Sequence, residues 1–426
     1  MTSLADVPTT PPAAGPSDLS SATSACQSPE GGPYRPARWL GGTSEMGLAL
    51  PDASPSPSTM YAPRGVCQTP THLIAADTGN HRLLVWDTPL PDHDHADADH
   101  VIGQPDMVSE GPKLLFLPTG LDVLSDGRLV VADAWHHRLL VWDDVVSATS
   151  GATPTVIGQP DGIDGVDEGC GPQRFYWPFG IAEIDDTFWV ADTGNRRVLG
   201  WTDGLPGPGR RADVVLGQPD LTSRGENRDG AVAGDSMRWP HAIAASGNLL
   251  LVADAGNHRV LGWRSETAHP VPGPIRAVSV TRDRPADVVL GQPDFETAFE
   301  SPYRPQGAGA FRFPYAIATA DDGRLFVGDT SNNRIGVVDD PAHTFSAAPA
   351  GAVVDRILGQ PTVDANGENR WDRVEHDTCC WPYGLSWHRY PSGGRLAIAD
   401  SGNNRVTIWE TDADSSPDAR PEAGLR

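Results

Sequence analysis

The chain has 426 residues, of which 46 are glycine and 40 are proline, and its formal net charge is −24 at pH 7. Length alone leaves the number of domains open, because propellers and barrels often exceed 200 residues as one unit. The negative charge repels phosphate backbones and anionic lipid surfaces, so neither nucleic acid nor a membrane is expected as a partner.

Both ends of the chain have the composition of disordered segments. Residues 1–34 are rich in Pro, Ser, Thr and Ala and lack the basic and apolar regions of a signal peptide. Residues 413–426 form a second polar tail. The five cysteines are odd in number and irregularly spaced, which is typical of a reducing compartment. The sequence therefore predicts a cytoplasmic protein with one ordered domain at residues 35–412.

The first predicted strand, WLGG at residues 39–42, resembles a segment of the form VLGQP that recurs later in the chain. The glycines of the five later copies are Gly103, Gly158, Gly217, Gly291 and Gly359. No copy follows the last repeat of the chain. The N-terminal segment is therefore predicted to complete the final unit by pairing with residues 406–409.

Six similar units follow, and each opens with proline, a variable residue and glycine or alanine. The opening prolines are Pro63, Pro118, Pro178, Pro240, Pro314 and Pro382. Each unit continues with an aspartate that precedes an arginine by five positions. These pairs are Asp77/Arg82, Asp133/Arg138, Asp192/Arg197, Asp254/Arg259, Asp329/Arg334 and Asp400/Arg405. Each unit contains four short strand patterns, which predicts an all-β fold, a six-bladed β-propeller of four-stranded blades.

The pattern [AG]-D-x-x-x-x-R-[VIL], with P-x-[GA]-[IVL] upstream, resembles the NHL repeat over roughly residues 35 to 412. The resemblance implies a six-bladed propeller, but the family ranges from protein-binding and RNA-binding modules to an amidating lyase, so it does not fix the function. In the lyase, zinc-binding histidines cluster at the starts of inner strands. Here His241 is the one histidine at such a start, whereas catalytic zinc usually needs three protein ligands. We therefore expect no metal and no cofactor.

Most of the repeated polar residues are interpreted as structural. A catalytic pair is needed once, so six Asp/Arg pairs indicate charge-assisted hydrogen bonds across hairpins. Trp86 and its four equivalents are interpreted as packing between blades. His81, His137 and His258 occupy one equivalent turn position, interpreted as a surface turn preference. The loop PDHDHADADH at residues 91–100 has metal-friendly side chains but is interpreted as a solvated acidic loop opposite the channel mouth.

Long insertions at residues 221–238, 295–312 and 362–380 are predicted to share one face of the disc with the starts of the inner strands. Loops of this length are often functional. Aromatic residues on this face are the predicted binding residues, and four of them are expected to form an arc over the third to sixth blades, leaving the side with Ala62 and Leu117 smooth. The predicted binding residues are Trp177, Phe179, Trp239, Phe313 and Trp381.

Two functions remain open. The favoured hypothesis is a non-catalytic scaffold or accessory protein that binds another protein through the loop-rich face. The rival is an enzyme of lyase or hydrolase type in the mouth of the central channel, with a small-molecule ligand and with Arg64, His241, Tyr315 and Tyr383 as candidate catalytic residues. Some bacterial NHL-repeat proteins with GQPD segments resemble accessory products of nickel-iron hydrogenase operons, so that role stays open by association.

Overall fold

The structure, a computed structural model, describes residues 34–42, 53–159, 169–265, 280, 283–300 and 306–411. Its strands are arranged in six antiparallel sheets of four strands each, which confirms the predicted six-bladed propeller. Tyr34, assigned to the N-terminal tail by the sequence analysis, is instead the first residue of a strand. The rest of the two predicted tails lies outside the described residues.

The strands follow the repeat units in chain order. The first, β1 (Tyr34–Gly41), lies ahead of the six repeats. The first three blades contain β2 (Gly65–Gln68), β3 (Leu73–Asp77), β4 (Arg82–Trp86) and β5 (His100–Ile102); β6 (Pro118–Val123), β7 (Leu129–Asp133), β8 (Arg138–Trp142) and β9 (Thr155–Ile157); and β10 (Pro178–Ile184), β11 (Thr187–Asp192), β12 (Arg197–Trp201) and β13 (Val214–Leu216). The last three contain β14 (Pro240–Ser246), β15 (Leu249–Asp254), β16 (Arg259–Arg264) and β17 (Val288–Leu290); β18 (Pro314–Thr319), β19 (Leu325–Asp329), β20 (Arg334–Val338) and β21 (Arg356–Leu358); and β22 (Pro382–Tyr390), β23 (Gly393–Asp400) and β24 (Arg405–Thr411).

Helical segments are short and lie in the connections between strands. The helices α1 (Val145–Thr149) and α2 (Pro341–Ala347) join the third and fourth strands of the second and fifth blades. Three-residue 3-10 helices join the second and third strands of the six blades, and they are Thr78–Asn80, Ala134–His136, Thr193–Asn195, Ala255–Asn257, Thr330–Asn332 and Ser401–Asn403. Two further 3-10 segments, Glu226–Asp229 and Glu368–Trp371, lie in insertions. Within the described ranges, no helix is long and apolar enough to cross a bilayer.

The core lies between neighbouring blades. The two middle strands of each blade are buried almost throughout, because each sheet is covered on both faces by adjacent blades. The repeated tryptophans fill these interfaces, as predicted. Four of their indole N–H groups donate to loop carbonyls, and Trp409 Nε1 donates to Thr407 Oγ1 at 3.2 Å. Trp86 Nε1 donates to Ala96 O at 3.1 Å, and Trp263 Nε1 donates to Arg284 O at 2.9 Å.

The N-terminal strand closes the ring. β1 pairs antiparallel with β24, and the strand order of the last blade is β1-β24-β23-β22. Trp39 lies opposite Thr407 and Leu40 opposite Val406, which confirms the predicted pairing. Gly41 has φ 132°, and a Cβ there would lie 2.6 Å from Asn404 O. This close approach explains the glycine at the end of the strand.

The six Asp/Arg pairs are structural, as predicted. In every blade the arginine Nε donates to the aspartate Oδ2 at 2.7–2.8 Å, and both side chains are buried. The other aspartate oxygen accepts a backbone N–H from the segment before the inner strand, as Asp254 does from Arg238 at 2.7 Å. Arg259 donates further bonds to Ala233, Ser236 and Phe295 carbonyls. Each pair therefore fixes the hairpin and two adjoining loops together.

The residue after each 3-10 turn links neighbouring blades. It has a left-handed backbone, with φ of 52–58°. In five blades its side chain accepts the backbone N–H of the residue that precedes the opening proline of the next blade. These bonds are Leu117 to His81 (3.1 Å), Trp177 to His137 (3.2 Å), Phe313 to His258 (3.2 Å), Trp381 to Asn333 (2.9 Å) and Ala62 to Asn404 (2.9 Å). The interpretation of the three histidines as a surface turn preference was therefore wrong.

The role of His258 as a buried interblade hydrogen-bond acceptor predicts that the stability of the fold depends on pH. Burial lowers the pKa of His258 to about 4, with the Glu300 carboxylate opposing the shift, whereas an unperturbed imidazole has a pKa near 6.5. Between these values the unfolded chain binds a proton that the folded chain excludes, so the free energy of unfolding falls as the pH drops from about 6.5 towards 4.

We expect His258→Asn to weaken this dependence, because asparagine makes the same bond at Asn333 and Asn404 and does not titrate. Urea unfolding at pH 7.5 and pH 5 should show a loss roughly 1–2 kcal/mol smaller in the variant than in the wild type. His343→Asn, at an exposed helix position, is the control. An unchanged pH dependence in His258→Asn would contradict the assignment.

Candidate functional site

The predicted catalytic candidates come together at the channel mouth. Each follows an opening proline, and the six-fold repeat places these side chains in a ring around the axis. Phe179 and His241 have ring centroids 4.4 Å apart, His241 and Tyr315 4.2 Å, and Tyr315 and Tyr383 4.6 Å. The Arg64 guanidinium lies 4.8 Å from the centre of the Tyr383 ring. The candidates therefore contact one another in sequence around the ring, with Tyr315 and Tyr383 stacked and the other ring pairs tilted.

The electrostatics of this ring do not favour proton transfer near neutral pH. Burial lowers the pKa of His241 to about 3, so its imidazole is neutral, and Nδ1 lies 2.8 Å from Trp239 O. Burial first, then the neighbouring Tyr383, raises the pKa of Tyr315 well above its usual value. An effective acid or base has a pKa near the working pH, and neither group meets this condition.

The cavity inside the ring is small. It has a volume of about 100 Å³ and is lined by the first residues of all six inner strands. Small-molecule sites usually measure about 300–1,000 Å³, so this cavity accommodates a few water molecules more readily than a substrate. The side chains in contact around the ring thus narrow the channel where the rival enzyme hypothesis placed its site.

Four of the predicted binding residues directly precede opening prolines on the insertion-bearing face. The fifth, Phe179, follows an opening proline and belongs to the ring at the channel mouth. Their backbones are left-handed, with φ of 50° at Trp177, 57° at Trp239, 49° at Phe313 and 54° at Trp381. Non-glycine residues adopt this region at a cost and need support from their surroundings. For three of them the interblade bonds to the turn residues supply that support.

The predicted arc is only partly present. Trp239 and Phe313 stack with centroids 6.5 Å apart. Trp177 instead contacts Trp135 of the second blade at 5.3 Å. Tyr61 and Trp135 are exposed on the side of the first two blades, so the prediction of a smooth side was wrong. The arc was predicted from the residues that directly precede the opening prolines. Trp135 lies in a turn and Tyr61 in a loop, so neither occupies that position.

A cleft between the fifth and sixth blades lies on this face and is bordered by two of the predicted binding residues, Phe313 and Trp381. Its volume is about 420 Å³. Trp371 and Trp381 border it and are 76% and 46% exposed. Its other lining side chains include Arg312, Phe313, Tyr315, Asn333, Asn366, Glu368 and Tyr383. Two large exposed indoles at one cleft make it the candidate binding surface of this face.

Trp371 and Glu368 were missed as candidates. The available signal was the repeated segment Gly-Glu-Asn-Arg, at residues 225–228 and 367–370. In both copies the residues from asparagine onward have positive φ, from 47° to 61°. This left-handed turn presents Asp229 in the fourth blade and Trp371 in the sixth at its end. The second copy thus places an aromatic side chain beside the cleft.

The acidic loop at residues 91–100 does not lie free in solvent opposite the channel mouth, contrary to the sequence interpretation. It runs along the outer edge of β1, where His95 N donates to Trp39 O at 2.7 Å and Asp94 Oδ1 accepts from Trp39 N at 3.0 Å. Asp94 also lies 3.4 Å from His376 of the last insertion. Covering an edge strand in this way protects it from pairing with another chain. Among the described residues no group of three potential ligands could hold a metal ion.

The vicinal cysteines are buried. Cys379 and Cys380 are free thiols, and burial raises the pKa of both. Protonated, enclosed thiols are poor nucleophiles, so their surroundings are those of structural residues.

Comparisons with known proteins give a consistent picture of the repeat. The family model "NHL repeat" matches residues 117–142 and 237–263. NHL repeat-containing protein 2 of Bos taurus is 25% identical over 307 residues, which cover 66% of this chain and 36% of that protein. This chain therefore spans about a third of the length of that relative.

Similar solved structures include several chains of low sequence identity. A protein of unknown function from Bacteroides thetaiotaomicron has a TM-score of 0.48 at 13% identity, covering 89% of this chain and 76% of the other. Virginiamycin B lyase from Staphylococcus aureus has a TM-score of 0.40 at 10% identity, with coverages of 84% and 97%. A gluconolactonase from Xanthomonas campestris has a TM-score of 0.44 at 13% identity, with coverages of 88% and 98%. At these identities the likeness assigns no substrate or activity to this chain.

Proposed function

We propose that this six-bladed propeller, whose repeats match the NHL repeat model at residues 117–142 and 237–263, is a non-catalytic interaction module that binds another protein through its insertion-bearing face. The contact centres on the cleft between the fifth and sixth blades. We place the protein in the cytoplasm, a placement that suits the four described cysteines, all free thiols.

The observation that carries this proposal is the exposure of Trp371 and Trp381 at one cleft. Protein interfaces are enriched in aromatic residues and arginine, and tryptophan is prominent among the residues that contribute most binding energy. A tryptophan that is three-quarters exposed leaves apolar surface in water, and a partner that covers it recovers that free energy. Both indoles sit on backbone turns fixed by hydrogen bonds, so little ordering is needed on binding.

The face is favoured over the channel by size and by chemistry. The cleft has about four times the volume of the channel cavity. The candidate acid and base at the channel mouth have pKa values shifted away from neutral pH by burial. These observations support an interaction role more strongly than the rival enzymatic role.

The test is the double variant Trp371→Ala/Trp381→Ala, used as immobilised bait in cell extract alongside the wild type. We expect the specifically captured protein to be lost, because both indoles would contribute to one interface. Stability should change by less than about 1 kcal/mol, since exposed side chains contribute little to the fold. Affinity capture with mass spectrometry and a urea melt on the same samples measure the two effects.

The matched control is Tyr61→Ala/Trp135→Ala, which removes two exposed aromatic side chains from the same face at the first two blades. It should retain the captured protein. Equal loss of capture in both double variants would contradict a contact centred on the cleft. Capture that survives in the Trp371→Ala/Trp381→Ala variant would contradict the proposed face itself.

A further inference from the structure

A glutamate recurs at one register in the insertions of the fourth, fifth and sixth blades. These residues are Glu226, Glu300 and Glu368, and each stands eight residues after the glutamine of its VLGQP-like segment. Twelve residues after each glutamate comes the residue that directly precedes Trp239, Phe313 or Trp381. The glutamine side chains hold the three glutamates at equivalent positions in their blades. Their side-chain amides donate to the carbonyl just before each glutamate, Gln218 to Gly225 at 2.8 Å, Gln292 to Phe299 at 3.0 Å and Gln360 to Gly367 at 2.7 Å.

In two of these blades an arginine of the same insertion neutralises the glutamate. Arg238 Nε lies 3.2 Å from Glu226 Oε1, and the Arg238 guanidinium lies 4.7 Å from the centre of the adjacent Trp239 ring. In the fifth blade Arg312 NH2 lies 3.1 Å from Glu300 Oε1, and Phe313 follows it in the chain. The fourth blade therefore holds an arginine between a carboxylate and an indole.

The sixth blade has the carboxylate and the indole but has cysteine at the arginine position. The backbone is the same there, since Cys380 N donates to Asp400 Oδ1 at 2.7 Å as Arg238 N does to Asp254 Oδ1. The Glu368 carboxylate is near enough to help raise the pKa of the Cys380 thiol, after burial and Asp400. Within the described ranges Glu368 forms no ion pair, and it lines the cleft with Trp371 and Trp381.

We propose that this cleft binds an arginine side chain of the partner protein, which takes the place that Arg238 occupies in the fourth blade. The inference rests on the proposed function and names the chemistry of the partner. A planar guanidinium can pair with the Glu368 carboxylate while it stacks on an indole, which a lysine ammonium does less well. The positive charge of Arg312, which also lines the cleft, is offset by Glu300.

The overall charge of the chain supports a basic partner. A formal net charge of −24 attracts a basic segment over distances of about a Debye length and speeds its association. Long-range attraction alone would act on any part of the acidic surface. The aromatic side chains and the Glu368 carboxylate at one cleft provide the local recognition that net charge does not.

The probe is a fluorescein-labelled nonapeptide of alternating glycine and arginine, titrated with the full chain at 150 mM NaCl and followed by fluorescence anisotropy. We expect Glu368→Gln to weaken binding about tenfold and Trp381→Ala to weaken it similarly. Glu226→Gln removes the same charge from the equivalent turn, where Arg238 already occupies the carboxylate, and should change the affinity less than twofold. The matching lysine peptide should bind more weakly than the arginine peptide.

A second variant tests whether an arginine of the chain itself can occupy the site and exclude the peptide. Cys380→Arg restores the residue type found at Arg238, and the surroundings match, since Gly256 packs against Arg238 and Gly402 against Cys380. The new arginine should pair with Glu368 and reduce peptide binding at least tenfold while the urea melting profile stays close to that of the wild type.

The outcomes separate this inference from the proposed function. Equal weakening by Glu226→Gln and Glu368→Gln would show general attraction to an acidic surface and would overturn the arginine site, as would full binding by a folded Cys380→Arg variant. If Trp371→Ala/Trp381→Ala loses the captured protein while Glu368→Gln retains it, the face binds a protein without using arginine. In that case the proposed function stands and this inference fails.

Discussion

Removal of residues 1–42 is expected to lower the stability of the propeller by roughly 5 kcal/mol or more, because it deletes β1 from the last blade. Tyr34, Trp39 and Leu40 are buried, and a fully buried large apolar side chain contributes about 1.5–3 kcal/mol. The deletion also removes the hydrogen bond from Arg324 NH1 to Tyr34 Oη at 2.6 Å and the stacking of Arg405 on Trp39 at 4.2 Å. Urea unfolding followed by circular dichroism measures the loss.

The deletion should also promote association. Without β1, the edge of β24 presents unpaired backbone groups, and such edges pair with other chains. Size-exclusion chromatography should therefore show aggregates or oligomers in the deletion variant. Removal of residues 1–30 is the control, because it takes away none of the described contacts of β1. Equal unfolding midpoints for the two deletions would show that β1 does not close the ring.

Arg259→Ala is expected to destabilise the chain by about 3–5 kcal/mol, because it leaves a buried charge without its partner. Arg259 and Asp254 are both fully buried. The substitution deletes the bond to Asp254 and the bonds to three loop carbonyls, at Ala233, Ser236 and Phe295. Asp254 keeps two donors, Arg238 N and Asn257 Nδ2, which do not replace the cation. The free energy of unfolding in urea is the measurement.

Two further variants give this experiment its controls. Arg128→Ala removes a partly exposed pair with Asp126 and should cost less than about 1 kcal/mol. Arg259→Ala/Asp254→Asn removes the orphaned charge as well and should recover part of the loss. If Arg259→Ala altered partner capture at unchanged stability, the pair would be functional and the structural interpretation would be wrong.

The architecture could be predicted because the same residues recur in six units and form the same local interactions in each unit. Aspartate and arginine five positions apart must face each other across a hairpin. The tryptophan that stands nine positions after the aspartate in five of the six blades must lie at the same depth in each of them. The WLGG segment could be matched to the absent sixth copy for the same reason. The ring at the channel mouth, with Arg64, His241, Tyr315 and Tyr383, also followed from this register.

Other features depend on contacts between segments that do not repeat. The acidic loop of the first blade lies on β1 because the closed ring brings blade one beside blade six, which the local pattern does not encode. His258 accepts a hydrogen bond from the next blade because its left-handed backbone directs the imidazole towards Phe313 N. The pattern of turn residues in the sequence does not show in which direction such a side chain extends. Equivalent positions can also carry different chemistry, as Arg238 and Cys380 do.

The sequence by itself therefore determined the number of blades, the order of strands, the closure and the face that bears the insertions, because each is a consequence of periodicity and strand direction. Only the tertiary structure decided that the channel mouth is narrowed by aromatic rings in contact and that Trp371, Trp381 and Glu368 border one cleft. The physical reason is that a cleft is the space left between side chains of neighbouring blades, and its size depends on packing across the ring instead of on the pattern within one repeat.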